Sequence, residues 1–226
     1  FYFLFTGKLK NKRLRFHLLI IFLLGGLQGF IGWYMVKSGL VDIPSVSHYR
    51  LAIHFITALT LFSYISWTSL GILYPKKVDN PIPKIQNLLV VLLCFTVVQL
   101  IYGAFVAGLK AGLFFPTFPK MGTEWVPQSL GMALDAYGLK SLVEFPALVQ
   151  FIHRWLAAVI VLLVVKLFIK GKKSDLTIQQ RNSLLFILIS VAIQFLLGVF
   201  TILLAVPISL GVLHQLGSVV LLSSII

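Results

Sequence analysis

Pro146-Ala147-Leu148-Val149-Gln150-Phe151-Ile152-His153-Arg154-Trp155-Leu156-Ala157-Ala158-Val159-Ile160-Val161-Leu162-Leu163-Val164-Val165-Lys166-Leu167-Phe168-Ile169 is the stretch on which the reading of the fold turns. It opens on proline, which suits the first turn of a helix. It then stays apolar for the ~20 residues that a helix needs to cross about 30 Å of hydrocarbon. An imidazole inside such a span is costly unless bound or hydrogen-bonded, so His153 marks a functional site by default. His214 stands seven residues past Pro207, repeating the Pro146–His153 spacing, and His54 stands seven past Ser47 in another apolar run. Seven helical residues rise about 10.5 Å, which puts all three histidines at one depth below one membrane face and suggests a layer of ligands.

Six stretches meet or approach spanning length: 16–36, 49–73, 85–107, 146–169, 184–206 and 208–226. Irregular backbone cannot face lipid, so all six are expected as helices. The composition agrees, with 59% hydrophobic and only 11% charged residues, against about 25% charged in globular domains. The net charge of +13 points to topology rather than nucleic acid, because no aromatic–basic module accompanies it. Thirteen of the nineteen basic residues fall on one side, at Lys8, Lys10, Lys12, Arg13, Arg15, Lys76, Lys77, Lys84, Lys166, Lys170, Lys172, Lys173 and Arg181. That side is expected to be cytoplasmic, or matrix in a mitochondrion. The histidines then lie near the outer face, as does the long 108–145 segment, whose Pro and aromatic residues suit an ordered cap.

A repeat emerges when the spans are taken in order. The first, third and fifth carry Gln-x-x-x-Gly, as Gln28–Gly32, Gln99–Gly103 and Gln194–Gly198, and the second, fourth and sixth each carry one of the three histidines. A duplicated helical unit explains the alternation. Imidazoles at one height on neighbouring helices can clamp a metal edge-on, and the apolar setting suits a haem better than a bare ion; the alternative is a histidine that donates a single hydrogen bond across a helix interface. Likewise Gly25, Gly26, Gly29 and Gly32 near Gln28 form a face that a flat group could approach, or one that serves ordinary small-residue packing. Arg50 shares a face with His54 one turn nearer the outer surface, where it would meet a carboxylate such as a haem propionate or act as an interfacial anchor. Arg154 points about 100° from His153 and is expected to snorkel or contact a neighbouring helix. The single Cys94 excludes an intrachain disulfide and thiolate clusters, and reads as buried packing. Walker loops, Ser-His-Asp sets and Gly-x-Gly-x-x-Gly elements are missing from the sequence.

Together these motifs resemble the heme A synthase family, membrane enzymes that convert haem O to haem A for cytochrome oxidase. The resembling stretches are Gly25-Gly26-Leu27-Gln28-Gly29-Phe30-Ile31-Gly32-Trp33-Tyr34-Met35-Val36-Lys37-Ser38-Gly39-Leu40, Tyr49-Arg50-Leu51-Ala52-Ile53-His54, Val106-Ala107-Gly108-Leu109-Lys110-Ala111-Gly112 with Thr117-Phe118-Pro119, Gln150-Phe151-Ile152-His153-Arg154, and Leu210-Gly211-Val212-Leu213-His214-Gln215. They run in order over nearly the whole chain and look most like the branch shared by mitochondria and many Gram-negative bacteria.

The resemblance implies an all-α, eight-helix protein of two pseudo-symmetric four-helix halves. Six spans would be present here: residues 1–73 as the later part of the first half, 74–84 as a cytoplasmic or matrix linker, and 85–226 as the second half. His153 and His214 match the second-half pair, which holds haem b. His54 matches one member of the first-half pair, tied to catalysis on the substrate haem. Arg50, Gln28 and Gly32 join these as candidate cofactor-binding residues. The other first-half ligand belongs to a Glu-x-x-His-Arg-type motif on a preceding helix, of which Phe1–Thr6 would be the tail; the chain thus reads as a fragment clipped at both ends, inactive by itself. The implied reaction oxidises a methyl of haem O to the formyl of haem A, by successive hydroxylations and loss of water from a geminal diol. Implied partners are haem O, an electron donor that the sequence does not name, haem O synthase, cytochrome oxidase assembly factors and the lipid bilayer, with no nucleic acid. The expected location is the bacterial inner membrane, or alternatively the mitochondrial inner membrane. Two other readings of the same histidines are a di-haem cytochrome b-like electron carrier, and a transporter or structural bundle that uses them for packing or proton relay.

Overall fold

The computed structural model describes residues 11–37, 46–74 and 82–226. Expectations for the Phe1–Thr6 stub, for Lys8, Lys10, Lys76 and Lys77, for residues 38–45 and for most of the 74–84 linker lie outside them. The described residues form a polytopic membrane helical bundle. Six helices are long and apolar enough to cross a membrane, here labelled α1 (Lys12–Lys37), α2 (His48–Leu73), α3 (Pro83–Gly108), α6 (Pro146–Lys172), α7 (Ile178–Leu203) and α8 (Ile208–Ile225). Between α3 and α6 lie two short helices, α4 (Gln128–Tyr137) and α5 (Ser141–Glu144), with single 3-10 turns at Ala111–Leu113 and Gly138–Lys140. Large apolar side chains cover the outside, among them Phe22, Leu23, Leu162 and Leu196, each more than half exposed. In water such a surface would aggregate; in a bilayer it meets the acyl chains.

Helix ends follow local chemistry. Asn11 Oδ1 accepts from the backbone N–H of Arg13 at 2.9 Å and of Leu14 at 3.2 Å, an N-cap for α1. Pro146 occupies the first turn of α6, where its missing N–H costs nothing. The fifth span differs from expectation at both ends. It starts at Ile178, well before 184, because Thr177 and Gln180 form a reciprocal capping box. It stops at Leu203, before 206, because Ala205 and Val206 take positive φ of 56° and 58°, which no α-helix accommodates.

The chain divides into two compact units, Phe1–Lys77 and Val78–Ile226. In the first, α1 and α2 pack as an antiparallel pair: His17 Nδ1 lies 2.7 Å from the Tyr64 hydroxyl near one end, and Gln28 meets His54 further along. In the second, α3 packs on α6 and α8, and α7 packs on the same two helices. The four therefore close a ring in which α6 and α8 stand at opposite corners. Its buried apolar cluster includes Ile85, Leu92, Ile160, Val164, Leu167, Leu184, Ile187, Val191 and Leu221. On every one of the four helices these residues lie on the basic-loop side of Gln99, His153, Gln194 or His214. Tight apolar packing thus fills the half of the ring away from the histidines, while Gln99, His153, Gln194 and His214 are themselves only half-buried.

Candidate functional site

The site is built from one unit used three times. Across the α1–α2 contact, Gln28 Nε2 donates to the backbone carbonyl of His54 at 3.1 Å. Across α3–α6, Gln99 Nε2 donates to His153 O at 3.1 Å. Across α7–α8, Gln194 Nε2 donates to His214 O at 2.9 Å. A helical carbonyl already accepts its intrahelical bond and has a second lone pair to offer, so the amide joins two helices without breaking either ladder.

The glycine four residues after each glutamine faces the imidazole. A Cβ on Gly32 would stand 3.0 Å from His54 Cε1, one on Gly103 3.3 Å from His153 Cε1, and one on Gly198 2.9 Å from His214 Cε1. At Gly32, Gly103 and Gly198 the bare backbone therefore accommodates a histidine ring, which lies on the neighbouring helix rather than out in lipid. Nothing among the described residues comes within 4 Å of a Cβ placed on Gly25, Gly26 or Gly29.

The three units differ at the glutamine oxygen. Gln28 Oε1 accepts from the Thr57 hydroxyl at 2.6 Å, and its Nε2 lies 3.1 Å from His54 Nδ1 and 3.4 Å from Nε2. Among the described residues, Gln99 Oε1 and Gln194 Oε1 are buried without a hydrogen-bond partner, and so are Nδ1 of His153 and Nδ1 of His214. Gln99 Nε2 also lies 3.3 Å from His153 Nε2.

Depth follows from the helix starts. His54 and His214 each lie seven residues past the N-caps Ser47 and Pro207, and His153 seven past the first residue of α6. Arg50 sets its guanidinium carbon 5.4 Å from the Tyr34 ring centroid, a cation–π contact.

Arg154 turns to the outer segment between α3 and α6. Its Nη1 donates to the Thr117 carbonyl at 2.8 Å and to Lys120 O at 3.4 Å, and its Nη2 donates to Phe115 O. Gln150, one turn away and fully buried, donates to Phe115 O at 3.2 Å. The two side chains thus pin the outer segment from beneath, as the expected ordered cap requires, and Phe118 packs edge-on against Phe195 of α7 with centroids 5.9 Å apart. Cys94 is exposed on α3 rather than buried. No cluster of three or more His, Cys, Asp or Glu side chains fit for a bare metal ion occurs among the described residues.

The COX15-CtaA family model, described as cytochrome oxidase assembly protein, matches residues 1–226. The chain belongs to this family. Among curated relatives of this COX15-CtaA chain, it is 40% identical over 224 residues to a heme A synthase of Flavobacterium johnsoniae, covering 99% of this chain and 65% of that protein. It is 41% identical over 224 residues to the heme A synthase of Flavobacterium psychrophilum, with the same coverage of 99% and 65%. It is 43% identical over 225 residues to that of Sinorhizobium medicae, covering 98% of this chain and 60% of the relative. The chain spans less than two thirds of the length of these relatives.

The residues of the second unit fit a bis-imidazole haem. Iron on Nε2 fixes the imidazole proton on Nδ1, and a ligating histidine characteristically donates that proton to a nearby acceptor. Each second-unit pair leaves such a donor and such an acceptor buried and unpartnered among the described residues: His153 Nδ1 and Gln99 Oε1, and His214 Nδ1 and Gln194 Oε1. Gln99 and Gln194 were visible in the sequence only as a repeat, Gln150 only as the first residue of the Gln150–Arg154 motif, and Thr57 gave no signal there beyond lying one turn from a histidine.

Proposed function

We propose that the complete protein is a haem-modifying oxidoreductase that oxidises a methyl group of haem O to the formyl group of haem A for cytochrome oxidase biogenesis. The observation that carries this reading is the threefold glutamine–glycine–histidine unit, with its buried, unpartnered imidazole nitrogens in the second unit. The relatives' name, heme A synthase, supports the same substrate and product.

In this reading His153 and His214 hold a resident haem b between opposite corners of the four-helix ring. When bound, that haem supplies one-electron redox chemistry. His54 orients the substrate porphyrin in the first unit, and Arg50, one turn nearer the outer face, pairs with a propionate. The second-unit helices exclude water by the apolar cluster on one side and by the pinned outer segment on the other. The electron donor, haem O synthase and oxidase assembly factors are partners of the complete protein. The bacterial inner membrane is its place, with the basic connections cytoplasmic.

Expression of the complete protein with a source of haem O, followed by extraction and chromatography of the haems, tests the proposal. Haem A is the expected product. Bound haem with haem O left unchanged would overturn the reading in favour of a di-haem electron carrier, and the absence of any Soret band would favour a transporter or structural bundle.

A further inference from the structure

The chain closes the outer end of the second-unit ring with its own crossing segment. After α3 ends at Gly108, Ala111 and Gly112 are buried, and a Cβ on Gly112 would stand 3.0 Å from Val206 Cγ2, in the turn that leads into α8. Gln150 of α6 donates to Gly112 O at 3.5 Å and to Phe115 O at 3.2 Å. Arg154 of α6 holds the carbonyls of Phe115, Thr117 and Lys120, and Phe118 rests edge-on against Phe195 of α7. Residues 108–120 thus leave one corner of the ring and touch the other three. Lifting them would strip partners from a buried amide and from a guanidinium, which is costly, so the segment acts as a plug and not as a gate.

The opposite end is filled by the cluster that joins Ile85 and Leu92 of α3 to Leu221 and Ile225 of α8. A porphyrin bound by both histidines has no route along the ring axis. Its route runs between helices.

One place on α8 is open. Ile225 follows Gly211 by two heptads, so the two lie along one line of the helix, and Ile225 packs into the cluster. That line therefore faces the bundle. Nothing among the described residues lies within 4 Å of a Cβ on Gly211, whereas Gln194 of α7 fills the space beyond Gly217. Six residues turn a helix so that Gly211 stands about 120° from Gly217, away from α7. The other ring neighbour of α8 is α3. Gly211, one turn outward of His214, accordingly lines the α3–α8 seam where the seam is unfilled.

We propose that haem reaches His153 and His214 from the bilayer, through the α3–α8 seam beside Gly211, and that residues 108–120 are a fixed plug over the outer mouth. This rests on the resident haem of the function proposed above.

The test uses the complete protein, purified without haem, in phosphatidylcholine vesicles in which haem b is dissolved, with uptake followed by the Soret band. The phase lost in His153→Ala belongs to the second unit. Gly211→Trp, and Gly211→Leu as a smaller obstruction, should slow that phase roughly tenfold or more, as overpacking a passage does, while the final haem content and spectrum match wild type. A merely structural role for Gly211 would instead lower the final haem content or alter its spectrum. The plug is tested by Gly112→Cys with Val206→Cys in a cysteine-free background, since their Cβ atoms lie within about 4.5 Å, inside disulfide reach. Uptake should be the same with the bond formed and reduced. Slow uptake when oxidised, restored by reduction, would make the outer mouth the entrance and overturn the inference, as would failure of the bond to form or wild-type uptake in both Gly211 variants. Each of these leaves the proposed function intact; absence of any phase that depends on His153 overturns both.

Discussion

Gln194 on α7 donates its amide hydrogen to the carbonyl oxygen of His214 on α8 at 2.9 Å, and the glycine one turn further along α7 takes the imidazole of the same residue. One turn of helix thus grips both the main chain and the ring of a single histidine. The same pair of contacts recurs at His54 and His153, which makes the arrangement a construction rule of this chain.

His153→Ala or His214→Ala should each abolish or loosen one bound haem, because a single imidazole remains where two are needed. Absorption spectra and pyridine haemochrome assays of the purified complete protein check this. Unaltered haem content and spectrum in both variants would contradict the assignment.

Gly198→Ala should displace the His214 ring, because the new Cβ would stand 2.9 Å from Cε1, whereas Gly103→Ala meets His153 at 3.3 Å and should be milder. Overpacking of this kind costs about 1–3 kcal/mol. Haem occupancy after purification should fall in the order wild type, Gly103→Ala, Gly198→Ala; the reverse order would argue that the rings do not stay against these glycines.

His54→Ala in the complete protein should remove haem A formation while sparing the haem held by His153 and His214. Chromatography of extracted haems and the residual Soret band read the two halves of this prediction separately. Product formed at the normal rate would show that His54 is not required.

Arg154→Ala should free the outer segment around Phe115, Thr117 and Lys120, which the guanidinium holds by three carbonyl contacts. Hydrogen bonds from a charged donor contribute about 1.5–3 kcal/mol each, so hydrogen exchange across residues 112–121 should quicken at least tenfold. Arg154→Lys should rescue little, since an ammonium lacks the planar fork. Protection equal to wild type in the alanine variant would assign the hold to Gln150 alone.

The six spans were legible because a membrane helix must be apolar along its length, and the histidine depth because Ser47, Pro146 and Pro207 mark helix starts. The early start of α7 was written in Thr177 and Gln180, but in a polar stretch where hydropathy gives no hint of a helix. The Gln-x-x-x-Gly repeat was also plain to see. What its glycines receive was not, because a pattern along one helix does not say which side chain of another helix fills the gap. Arg154 illustrates the same limit: its direction away from His153 follows from helical geometry, but its partners lie 34 to 39 residues earlier in a segment with no periodic signal.

Gln150 and Arg154 hold the outer segment almost wholly by its main-chain oxygens. Apart from Phe115 and Phe118, which pack inward, this anchorage by main-chain oxygens is indifferent to which side chains that stretch displays. Its exterior, where Phe114, Trp125 and Val126 stand exposed, is free to be rewritten for a different membrane or a different neighbour without detaching the segment from the helix that carries His153.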